Sequence, residues 1–121
     1  MKKTVLMLCL ILSIMSCSSV VKNSYRSLIV ASEAYDFSMK SVAEAQRSGK
    51  ITAEQRQEIN EVASVYYTAY QKAVDALESY VISESSEDKE KAIEALRDAT
   101  AAITDLIKIV ADYTREEKGN G

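Results

Sequence analysis

The chain has 121 residues, 15 of them basic and 18 acidic, with no histidine, no proline and only three glycines. A net charge of −3 offers no electrostatic footprint for nucleic acid, and the lack of histidine removes the commonest general base and transition-metal ligand. So little turn punctuation excludes a sheet-rich fold, and the length allows one domain.

Met1-Lys2-Lys3 is a short basic start, followed by an apolar run from Thr4 to Met15. At about a dozen residues the run is too short to cross a hydrocarbon core, which takes about 20 helical residues, and it has the flanks of a secretion signal. It ends in Ile14-Met15-Ser16-Cys17. These four residues resemble the lipobox of bacterial lipoproteins: an aliphatic residue, a small or apolar one, a small one, then cysteine. The resemblance covers only residues 1–17. It implies that residues 1–16 are a cleaved signal peptide, cut between Ser16 and Cys17. It also implies that the Cys17 thiol receives a diacylglyceryl group and its new amino group a fatty acyl chain such as palmitate. Ser18 stands where inner-membrane lipoproteins of two-membrane bacteria carry aspartate, so the resemblance favours the outer membrane, facing the periplasm.

Such cleavage removes Lys2 and Lys3 and no acid, leaving 13 basic and 18 acidic residues and a charge of −5. Cys9 would leave as well. Cys17 would then be the sole cysteine, which excludes a disulfide framework. Residues 17–24 read as the lipidated cysteine and a polar tether, reaching about 25 Å when extended.

Residues 25–116 are predicted to form an all-α, up-down-up three-helix bundle with long antiparallel helices, and 117–121 a fraying tail. The first helix is expected from about Asn23 to Ser48, with Val21, Tyr25, Leu28, Ser32, Tyr35, Met39, Val42 and Gln46 as its inward stripe. Gly49 ends it, and Thr52-Ala53-Glu54-Gln55 reads as a capping box opening the second. That helix, from Ala53 to Ile82, carries a broad apolar band from Ile59 to Val81, as a middle helix with two neighbours requires. Ser83–Ser86 makes the second turn. The third helix, Glu87–Glu116, places Ala92, Leu96, Ala99, Ile103, Leu106, Val110 and Tyr113 in heptad register, with Ile93 and Ile107 widening the face. The rod would be about 40 Å long at 1.5 Å per residue, with the Ser83–Glu90 turn at the membrane end.

Catalytic and metal-binding residues and cofactors are not expected. The region 17–121 has neither a histidine nor a glycine-rich phosphate loop, and its acids Glu84, Glu87, Asp88 and Glu90 suit a helix start. The tyrosines Tyr35, Tyr66 and Tyr70 sit on core stripes, whereas Tyr67 lies at the margin. Val30, Ala34 and Phe37 fall opposite the first helix's stripe, one turn per step, the pattern of a helix-docking surface. The expected function is a non-catalytic, membrane-anchored lipoprotein of the cell envelope, a protein-interaction or structural module. It would be held in the membrane by the lipid on Cys17 and engage a protein partner or a second copy through Val30, Ala34, Phe37 and Tyr67. A small-molecule or lipid-binding bundle with a tyrosine-lined pocket, and a phage-type exclusion or inhibitor lipoprotein, are the alternatives.

Overall fold

The computed structural model is all-helical, with α1 (Lys2–Arg47), α2 (Ala53–Ser83) and α3 (Ser86–Arg115) packed against one another and no strand among the described residues. It describes the backbone of residues 2–115 and the side chains of residues 20–115. Ser16, Cys17 and the rest of the expected signal segment therefore lie outside the described side chains, and the tail 117–121 lies outside the described residues. Among the described residues no helix is long and apolar enough to cross a membrane.

The two turns are built as short-range chemistry dictates. Gly49 takes φ 74°, the left-handed conformation that glycine adopts without steric cost, and Lys50 N–H closes the end of α1 on Ala45 O at 2.8 Å. The capping box is complete: Gln55 N–H donates to Thr52 Oγ1 at 3.1 Å, and Thr52 N–H donates to Gln55 Oε1 at 2.9 Å. The second turn has no glycine. Glu84 takes the left-handed position instead, at φ 55°, and its N–H reaches Tyr80 O at 2.8 Å. Ser85 then caps α3, its hydroxyl accepting from Asp88 N–H at 3.1 Å.

Buried residues form two contiguous clusters stacked along the bundle. Val42, Ala45, Ile59, Ala63, Tyr66, Ile103, Leu106 and Val110 make the one beside the Gly49 turn. Leu28, Ala73, Leu77, Tyr80, Ala92 and Ala99 make the one beside the Glu84 turn. The end of α1 thus meets the start of α2 and the end of α3, the pairing order of helices that reverse direction at each short turn.

Two expectations for α1 are corrected. Val20–Ser24 is helical rather than an extended tether: Val20 and Val21 pack against the second cluster and Ser24 is buried. No proline or glycine interrupts the helix there, and apolar contact rewards its continuation. The inward stripe also differs in phase. Leu28, Tyr35 and Val42 face the core, but their companions are Ser24, Ala31, Ser38 and Ala45, all buried, while Tyr25 and Gln46 are exposed. Small residues at every seventh position let α1 approach closely, and α1 shares more of its surface with α3 than with α2. On α3, Ile93 and Ile107 are exposed rather than part of a widened core face. Ala102, buried, and Ile109, half-buried, widen it on the other side.

Candidate functional site

Titratable side chains engage one another mainly through short-range pairs. Glu87 forms an ion pair with Lys91 at 3.4 Å, one helical turn away and open to solvent. Asp88 is engaged by the Ser83 hydroxyl and by the capping turn. Near the other end, the Tyr113 hydroxyl donates to the Glu58 carboxylate, tying α3 to α2. One guanidinium nitrogen of Arg56 is buried with no hydrogen-bond partner among the described residues. Among those residues no three acids or cysteines gather as metal ligands.

The tyrosines fill the middle of the bundle. Tyr35 stacks on Tyr66 with ring centroids 5.3 Å apart, and Tyr66 meets Tyr70 at 5.9 Å, both within the range of attractive aromatic contact. Tyr66 is 3% exposed. Burial pushes its phenol up to about 12, and the neighbouring Tyr70, Tyr35 and Asp36 add to the effect by disfavouring a phenolate beside them. The rings lie against each other as packing groups do. Two open grooves among the described residues are lined by other residues: Val65, Ala69, Lys72, Ala95 and Asp98 between α2 and α3, and Ile93, Leu96, Thr100 and Thr104 along α3.

The sequence-derived surface residues are only partly brought together. Phe37 is 74% exposed, and Val30, two turns before it, is also exposed. Ala34, between them, is half-buried against the core and contributes little surface. Tyr67 is exposed on α2.

Two contacts show which flank of each helix borders which neighbour. Since Tyr35 stacks on Tyr66, the Tyr35–Met39 flank of α1 borders α2, and the opposite flank, through Ala31 and Ala34, borders α3. The groove shared by Val65, Ala69, Ala95 and Asp98 marks the α2–α3 border, so the opposite flank of α3 borders α1. At 100° per residue, Val30 and Phe37 continue beyond Ala34 on the α3 side of α1. Ile93, Thr100 and Ile107, seven residues apart, run along the α1 side of α3. The Tyr35–Tyr66 and Glu58–Tyr113 pairs set the heights, bringing Phe37 level with Ile107 and Val30 level with Thr100. On this geometry Val30 and Phe37 of α1 face the same side of the bundle as Ile93 and Ile107 of α3, a band of exposed apolar side chains, while Tyr25 and Ile29, also exposed, lie on the α2 side of α1. Tyr67, on the flank of α2 away from Val65 and Ala69, stands outside the band. The isoleucines were missed as surface residues because a helical wheel gives the direction of a side chain but not how far a neighbouring helix covers it.

Comparison with protein-family models, with curated proteins and with solved structures found no match to the chain.

Proposed function

We propose that the chain is a non-catalytic lipoprotein of the bacterial cell envelope, anchored through lipid on Cys17, whose bundle acts as a protein-interaction or structural module. The observation that carries the anchor is the basic, apolar and Ile14-Met15-Ser16-Cys17 order of the first 17 residues. Packing of the half-buried Val20 and Val21 against the core supports a folded domain that begins within a few residues of that cysteine. In this reading residues 1–16 are removed, and the Ser at position 18 favours the outer membrane, facing the periplasm, in a two-membrane source. Several acyl chains, each methylene contributing about 0.8 kcal/mol, make a stable anchor where the protein's own charge would not.

The interaction part of the reading is supported by the Val30–Phe37 and Ile93–Ile107 band, a set of large apolar side chains left uncovered on one side of the bundle. The direct experiment combines metabolic labelling with a lipid precursor and cross-linking in intact cells. Cys17→Ala is expected to abolish lipid labelling and to leave the unprocessed chain. Continued acylation of that variant refutes the anchor. Recovery of the monomer alone after cross-linking counts against the interaction module.

A further inference from the structure

The most exposed large apolar side chain among the described residues is Ile82, at 85%, and Val81 beside it is also exposed. They occupy the last turn of α2, next to the Glu84 turn. This is no loose loop. Glu84 N–H is bonded to Tyr80 O, Ser85 N–H donates to Ser83 Oγ at 3.2 Å, and Asp88 N–H is held by Ser85. An isoleucine is thus fixed in an exposed position by an ordered turn, with no contribution to the core.

What could cover it follows from where α1 enters the bundle. Tyr35 stacks on Tyr66; Val20 lies fifteen residues before the one and Val81 fifteen after the other, so antiparallel register brings Val20 to the height of Val81. The packing agrees, since Val20 and Val21 lie against the cluster that holds Leu77 and Tyr80. Cys17 precedes Val20 by three residues, a reach of at most about 11 Å even when fully extended. The exposed pair and the lipid attachment point therefore belong to the same end of the bundle.

From this geometry we infer that Val81 and Ile82 touch the bilayer that holds the lipid on Cys17, making the α2–α3 turn a second, apolar point of contact with the membrane. The inference rests on the lipid-anchor reading. Glu84, Glu87, Asp88 and Glu90 surround the turn, against Lys22, Lys89 and Lys91 near it, so charge gives the tip no attraction to anionic headgroups. The contact consequently depends on the anchor, which keeps the tip beside the surface at high effective concentration. Once there, burial of the two side chains between headgroups is favourable as any removal of apolar surface from water is.

The chain contains no tryptophan, so a single introduced indole reports its own surroundings. The test uses the full chain, lipidated in a bacterial host and reconstituted in vesicles of phosphatidylethanolamine and phosphatidylglycerol, with brominated acyl chains as quenchers. Ile82→Trp places the probe at the proposed contact, and Lys50→Trp, exposed in the Gly49 turn, places it at the far end. Circular dichroism checks that both variants keep the helical fold. The expected result is a blue-shifted, strongly quenched emission for Ile82→Trp and an unshifted, unquenched one for Lys50→Trp. The Ile82→Trp chain begun at Ser18, which lacks both the apolar segment of residues 4–15 and the lipid on Cys17, should lose the shift. If the lipidated protein floats with the vesicles but the Ile82→Trp emission matches that of Lys50→Trp, the contact is overturned and the anchor stands. If the protein carries no lipid and does not float, the anchor reading and this inference fall together.

Discussion

Tyr66 shows how one side chain can connect packing with a measurable pH response. Its ring is legible as a core group, because Tyr35, Tyr66 and Tyr70 each fall on an apolar stripe, and the ring contacts, one stacked and one tilted, agree. What spacing could not supply is the phenol's environment. Its folded pKa of about 12 lies above the ordinary 10.0, so the fold favours the protonated form. That contribution is fully present below pH 10 and is lost as the pH rises through 12. A rise of that size is worth roughly 2–3 kcal/mol. Tyr66→Phe keeps the ring and removes the titration. Urea midpoints of the two proteins, measured from about pH 9 to 12, should diverge, with wild type losing more stability. Only the difference between the two proteins counts, and parallel curves would show that the Tyr66 phenol ionises without cost.

The helices were legible in proportion to how local their causes are. The Thr52–Gln55 capping box was readable because both partners lie within four residues, and α2 begins there. Thr52→Ala removes the acceptor for Gln55 N–H and should cost about 1 kcal/mol, read as a fall in the thermal midpoint. Were stability unchanged, the exposed start of α2 would have to be satisfied by water as well as by the box. The Glu84 turn was located by its serines, but nothing short of the backbone shows a glutamate in the left-handed position where glycine is the usual occupant. The stripe of α1 was harder still. Spacing alone points Tyr25 and Gln46 inward, whereas the buried line uses Ser24, Ala31, Ser38 and Ala45. Choosing between adjacent phases of one helix requires the partner helix, and small residues signal close approach only once that partner is known.

At the scale of the whole molecule, three packed helices could be inferred from composition and two short turns, but the shared surface could not. Spacing alone puts Phe37 and Val30 on the surface of one helix but Ile107 and Ile93 in the core face of another, and only the packing of α1 beside α3 brings all four to one side of the bundle. A band made by two helices behaves as a unit, so substitutions on either helix should have the same consequence. Phe37→Glu and Ile107→Glu each put a charge where an apolar partner surface would have to desolvate it, without disturbing a buried side chain. Each should leave the circular dichroism unchanged and the stability within about 0.5 kcal/mol of wild type, as exposed substitutions generally do. Both should weaken self-association in sedimentation and reduce cross-linked product in the envelope, whereas Tyr67→Glu, off the band, should do neither. Loss on Phe37→Glu alone would restrict the surface to α1 and break the link to α3. If neither substitution alters association while both fold normally, the band is exposed apolar surface with no partner, and the interaction reading loses its main support.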